Sequence, residues 1–299
     1  MKKSGILALL LLSFGWAFSQ NLSPYILGFE ANVSIETIST TIQTNLEKNG
    51  ITIVGQYQPA NDKNRLILVF SSPQLEDAVR KIGGLTGFAS ALRIAITNEN
   101  NKILVTYTNP AYWGNAYFGD NFDKVAPLYT TLTKHLETAI RASGTFIGKA
   151  FGSKSGLSAK DLRKYHYMFG MPYFTDPVEL AKFASYASAL AKVEAAVKKG
   201  VPNVKMVYKV AIPGKELTLY GFALSGAEGE SKFMPIIDIN SPKHTAFLPY
   251  EVLVMGNQVL MLHGRYRIAL AFPDLTMGTF TKIMSTPGSI EDLLKQLVK

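Results

Sequence analysis

The chemistry open to this sequence rests on its histidines, methionines and aromatic residues, because it contains no cysteine. They crowd most closely in KYHYMFGMPYF, residues 164–174, where His166, Tyr167, Met168 and Met171 fall within six positions. Imidazole and thioether together are the ligand set that Cu(I) accepts, so one reading of the segment is a soft-metal site. A second reading is an aromatic-walled pocket for a small molecule. A third is a core strand, with alternate residues turned inward. The other aromatic group is TYTNPAYWGNAYFGDNF, in which Tyr107, Tyr112 and Trp113 interleave with Asn109 and Asn115. Aromatic faces beside amides suit a sugar or a flat ligand, and equally a loop packed over a sheet edge.

Hydrolytic chemistry finds little support. There is no G-x-S-x-G elbow and no S-x-x-K. His135, His166, His244 and His263 never fall at H-x-x-x-H or H-x-H spacing, which removes the usual helical zinc pair. Glu76 with Asp77, and Glu291 with Asp292, read as helix-start residues, not as a general acid and base. The lack of cysteine excludes disulfides, a thiol nucleophile, thiolate-bound metal and an N-terminal lipid. No catalytic residue is assigned, and neither cofactor nor metal is identified.

Near the middle, GTFIGKAFGSKSG sets a glycine at every fourth position: Gly144, Gly148, Gly152 and Gly156. A phosphate loop needs four residues between its glycines and Ser or Thr after the lysine. Here there are three, and Ala150 follows Lys149. A helix with four glycines on one face would lose roughly 4 kcal/mol relative to alanine. The stretch therefore reads as a joint between two halves.

The elements on either side repeat. In the first half Ser34 caps a helix carrying Ile35, Ile38, Ile42 and Leu46, and ITIVGQY and RLILVF read as strands. Pro73 opens a short helix, ALRIAI and KILVTY form a hairpin around TNENN, and a long helix covers about 124–142. In the second half Asp176 and Pro177 open a helix running to Gly200. VKMVYKVAI and ELTLYGFAL pair around Pro213-Gly214, PYEVLVM and QVLMLHG pair around Gly256-Asn257, and YRIALAF follows as a strand. A helix capped by Ser289 closes the chain. Each half thus runs helix, strands, hairpin, helix, as an internal duplication would.

Gly50-Ile51-Thr52-Ile53 and Tyr107-Thr108-Asn109-Pro110 resemble the strand and late-hairpin motifs of the domain of unknown function 302 family. The resemblance covers roughly 30–120 and, more loosely, 175–298. It implies an α+β fold of two similar domains, each an antiparallel sheet flanked by helices in a βαββββα arrangement like that of the TATA-binding-protein class, and it brings no activity. The absence of cysteine and the long segment 121–175 depart from the family pattern.

At the N-terminus, Lys2 and Lys3 precede an apolar run from Gly5 to Phe18 and then Ala17-Phe18-Ser19. This is the pattern of a secretory signal peptide cleaved before Gln20, too short for the roughly 20 residues a membrane span needs. Its loss takes two lysines and leaves 29 basic against 22 acidic residues, a formal charge of +7. Those charges are scattered, so nucleic acid is not expected as a partner. The resulting organisation is a signal peptide over 1–19, a first domain over 20–143, a joint over 144–163 and a second, divergent copy over 164–299. The expected protein is periplasmic or secreted, with no transmembrane segment after cleavage, and binds a small molecule or an envelope protein, with homo-oligomers possible. Its expected ligand site is a cleft between the halves lined by Tyr107, Asn109, Tyr112, Trp113, His166, Tyr167, Met168 and Met171. A metal-dependent or redox enzyme using His166 and its methionines, and a structural envelope protein, are the alternatives.

Overall fold

The structure, a computed structural model, describes residues 21–299. The expected signal peptide lies outside the described residues. The fold is α+β, with two antiparallel sheets flanked by helices.

The first half runs β1 (Tyr25–Ala31), α1 (Ile35–Lys48), β2 (Thr52–Tyr57), β3 (Arg65–Ser71), α2 (Pro73–Ile82), β4 (Leu92–Glu99), β5 (Lys102–Thr108), α3 (Pro110–Phe118) and α4 (Phe122–Ser143). The joint holds β6 (Lys149–Phe151) and α5 (Ala159–Arg163). The second half runs β7 (Val178–Lys182), α6 (Tyr186–Lys199), β8 (Val204–Ala211), β9 (Leu217–Leu224), α7 (Glu230–Ile237), β10 (Tyr250–Met255), β11 (Gln258–Met261), α8 (Gly264–Ala271), α9 (Met277–Phe280) and α10 (Thr286–Lys295). The strand orders are β2-β3-β4-β5-β1-β6 and β7-β11-β10-β9-β8. Without β6 the two sheets have one topology, and α9 is the only addition to the helix order of the second half.

Many local expectations hold. Ser34 caps α1, whose Ile35, Ile38, Ile42 and Leu46 are buried, and Ser72 with Pro73 starts α2. Four expectations are corrected. Both halves open with a strand, β1 and β7, before their first helix. Residues 178–182, expected as helix, instead pair with β11, and the helix waits for Ser185, which forms a capping box with Ser188. YRIALAF is not a strand but most of α8: nearly every residue of that helix is buried, so its apolar run lacks the periodicity that marks a one-sided helix. The C-terminal helix begins at Thr286, not at a cap on Ser289. The joint is structured. β6 pairs with β1, Leu22 and Leu157 exchange backbone hydrogen bonds of 2.8 Å, and Gly152 sits at φ +96°, where a Cβ would meet Pro24 and Tyr25 at 2.9 Å.

The halves pack through matched positions. Asn109 and His263 cap α3 and α8 with their side chains. Tyr112, third residue of α3, donates to the Leu270 carbonyl of α8 at 2.8 Å, and Tyr266, third residue of α8, reaches the Ala116 carbonyl of α3 at 3.5 Å. The end of α8 is buried, so its last carbonyls need partners from outside the helix. Phe272 N–H takes Ile268, and three tyrosines take the rest: Tyr165 donates to Ala269, Tyr112 to Leu270 and Tyr25 to Ala271. Burial pushes all three phenols above their ordinary pKa, so they stay neutral donors.

At the centre the second residues of β4 and β10, Arg93 and Glu251, form an ion pair that Arg267 of α8 completes from the other carboxylate oxygen. All three side chains are at most 2% exposed. Tyr208 also donates to Glu251, and Arg267 donates to the Phe247 and Pro249 carbonyls at 2.5 and 2.7 Å. Burial opposes the charge on Arg267, and the Glu251 carboxylate outweighs it, holding the guanidinium above its ordinary pKa. The Tyr208 ring fits because residue 221 is glycine: a Cβ there would lie 1.9 Å from it.

A second carboxylate ties the halves from one side. Glu230, at the start of α7 and 1% exposed, accepts from Tyr57 Oη at 3.0 Å and Ala60 N at 2.9 Å in the first half, and from Leu224 N at 3.2 Å in its own. Burial pushes its pKa up and these three donors pull it back, leaving it at about 7.

Two predictions follow from these buried charges. Glu251→Gln leaves two guanidiniums without a counter-charge and should lower unfolding free energy by about 3–5 kcal/mol, whereas Arg93→Met leaves the Glu251–Arg267 pair and should cost about 1 kcal/mol. Urea unfolding of both variants checks the order, and an equal or larger loss for Arg93→Met would refute it. For Glu230 the folded pKa of about 7 exceeds the ordinary 4.5, so the unfolded chain gives up the proton first as pH rises. Its contribution is full below pH 4.5 and is lost as pH rises through 7, a change of about 3 kcal/mol that Glu230→Gln should not show. Parallel stability profiles for wild type and variant across that window would rule the titration out.

Candidate functional site

The site begins with two edge strands. β2 and β8 are the outer strands of their sheets, each carries a register shift at the same place, between Ile53 and Gly55 and between Met206 and Tyr208, and the two shifted segments face each other. A bulge bends its strand and sharpens its twist, which turns the two edges away from continuous pairing. Contact is closest at Gly55, where a Cβ would come within 2.4 Å of the Val207 carbonyl oxygen. α1 packs against β2 and lines the remaining side.

The result is a groove of about 690 Å³ with walls from both halves. α1 supplies Ser39, Thr40 and Gln43, β2 supplies Gln56 and Tyr57, and β8 supplies Lys205 and Met206. Gln43 is held by Ser39 Oγ at 2.9 Å and lies 3.4 Å from the Gln56 side-chain oxygen, so its amide is already oriented. Lys205 makes no salt bridge among the described residues. Glu230 lies at the floor with Tyr57 hydrogen-bonded to it. Amides, hydroxyls, the carboxyls of Glu36 and Glu230 and the Lys205 ammonium over a few apolar contacts make a surface for hydrogen-bonding a small polar molecule.

The residues singled out in the sequence fall into two other places. Tyr107, Tyr112 and Trp113 belong to the core, at 1%, 0% and 2% exposure. Trp113 Nε1 donates to the Pro24 carbonyl at 2.9 Å, and Asn109 caps α3 while its amide donates to Ser23 O at 2.9 Å. His166, Tyr167, Met168 and Met171 are brought together. The His166 ring stacks on Tyr173 at 4.2 Å and its Nε2 lies 2.8 Å from Met171 O, while Tyr167 donates to Leu275 O at 2.9 Å. Tyr167, Met168 and Met171 line an apolar crevice of about 40 Å³ with Met277 and Phe280, large enough for a water or two and not for a sugar. None of the eight lines the large groove. Among the described residues no group of three His, Asp or Glu side chains is placed to hold a metal ion.

Sequence reasoning missed the groove and Glu230. At the first position of a helix an acid satisfies the helix dipole, and nothing local distinguishes one that instead reaches across to another half. Arg93 and Glu251 did carry a signal: each is a lone charge inside an apolar run, and a buried charge requires a partner.

No family model matches the chain, and no curated protein matches it. Among solved structures, the chain is similar to the crystal structure of the uncharacterized conserved protein DUF302 from Bacillus stearothermophilus. The likeness has 14% identity and a TM-score of 0.35, over 40% of this chain and 98% of that one.

Proposed function

We propose that the chain is an exported binding protein, built as two copies of a domain of the domain of unknown function 302 type, that holds a small neutral molecule rich in hydroxyl or amide groups between its halves. The observation that carries this reading is the groove of about 690 Å³, whose walls come from both halves and whose polar lining is mostly uncharged. A neutral ligand is favoured because Glu230 is engaged by three donors and the other two charged side chains of the lining, Glu36 and Lys205, are of opposite sign. Two copies are supported by the common strand order and by the matched capping positions at α3 and α8. Export is supported by the basic and apolar N-terminal run and by the small residues before Gln20. No described helix is long and apolar enough to cross a membrane.

The first test is the mass of the protein recovered from an exporting host. Cleavage before Gln20 is expected, and an intact N-terminus on protein retained in the cytoplasm would remove the export reading. The second is a thermal-shift and calorimetric screen with neutral mono- and oligosaccharides, polyols and short uncharged peptides. At least one class should bind, with affinity reduced about tenfold in Gln56→Ala, an exposed substitution that leaves the core intact. A ligand whose affinity is unchanged in that variant, or the absence of binding across the panel, would remove the groove as the site.

A further inference from the structure

Among the described residues, five of the nine large apolar side chains that stand exposed belong to two short segments: Met168, Phe169 and Tyr173 in one, Met277 and Met284 in the other. The segments adjoin. Tyr167 donates to Leu275 O, and Met168 and Met171 share the apolar crevice with Met277 and Phe280. Met277, Phe280 and Met284 recur at positions one, four and eight of a helical stretch, so they share a side of it. Phe169 is 101% exposed at the tip of a turn completed by Gly170 at φ +79°. A phenylalanine held fully in water beside a cluster of methionines is costly for a surface that meets only solvent.

Four cations stand unpaired around this patch. Lys160 and Lys164 line a depression with His166 and Tyr167, Arg265 lines the apolar crevice, and Lys282 lies between Phe280 and Met284. None of these four makes a salt bridge or a side-chain hydrogen bond among the described residues, whereas Arg163 nearby is paired with Asp123. Three acids of the neighbourhood are hydrogen-bonded to neutral donors, Asp161 to Ser158, Asp176 to Tyr173 N–H and Asp274 to Lys154 N–H, which leaves the four cations in excess by one.

We infer that this face docks on an anionic lipid surface, with Phe169 and the methionines entering the headgroup boundary and Lys160, Lys164, Arg265 and Lys282 meeting the headgroup charges. Protruding apolar side chains ringed by unpaired cations are what such a surface binds, through apolar burial and electrostatic attraction together. The chain would be held at the membrane without crossing it, leaving the groove between α1, β2 and β8 free, so this inference is independent of the ligand proposed there.

The test is co-sedimentation of the chain from Gln20 with vesicles of phosphatidylcholine, with and without phosphatidylglycerol. Binding is expected only to the vesicles that contain phosphatidylglycerol, and added salt should weaken it. Phe169→Asp should lower partitioning by about tenfold or more, and Lys164→Gln by about fivefold. Both side chains are exposed, so both variants should fold, and circular dichroism checks that they do. Absence of binding to either vesicle, or unchanged binding of Phe169→Asp, overturns the inference. So does a wild-type dimer in solution that Phe169→Asp splits, which would assign the patch to a second copy of the chain.

Discussion

The ion cluster of Arg93, Glu251 and Arg267 is the constraint around which the two halves are arranged. A guanidinium taken out of water tolerates only a place where a carboxylate and carbonyls surround it. Here those groups come from different halves: Arg93 is carried by β4, Glu251 by β10, and the carbonyls that hold Arg267 lie just before β10. The second half pairs Glu251 with its own Arg267, whereas Arg93 of the first half has its ion-pair partner among the described residues only across the interface, in Glu251. The tyrosines that finish α8 act in the same way, because Tyr112 and Tyr25 close carbonyls that would otherwise be buried without a partner. Packing between the halves is therefore specified by polar groups with fixed directions as well as by apolar area.

The groove follows from the same arrangement. Once β4 meets β10 through the cluster and the Gly84–Ala89 and Thr245–Phe247 turns cross onto the opposite sheets, β2 and β8 are brought edge to edge. Their bulges keep them from forming one continuous sheet, and the space they leave is where amides and hydroxyls collect. Glu230 closes the floor of that space and anchors it to the turn at Ala60. Movement of one half against the other would change the groove and the Glu230 contacts together.

Much of this fold was legible in the sequence, because local rules set much of it. Caps at Ser34 and Ser72, the Asn100-Asn101 turn and the branched residues of β3 to β5 act within a few positions of themselves. The opening strands β1 and β7 were not legible, since their strand character depends on the free edges of β5 and β11, far along the chain. α8 was misread because a helix buried all round shows no face. Trp113 and its neighbours were placed in a cleft on composition, whereas their polar atoms serve main-chain groups of the core. The groove lies where two distant edges meet, and no local pattern records such a meeting.

The opposite charges at matched positions carry a consequence for how the halves recognise each other. Arg93 and Glu251 occupy the second position of corresponding strands. Two copies of the first half brought together in the same way would set arginine against arginine without a counter-ion in a dry interior, and two copies of the second would set glutamate against glutamate, each with only its own Arg267. The pairing is thus heterotypic by charge. The charges therefore disfavour contact between like halves of neighbouring molecules, which would forfeit the Arg93–Glu251 pair, and select the unlike pairing that each chain makes within itself.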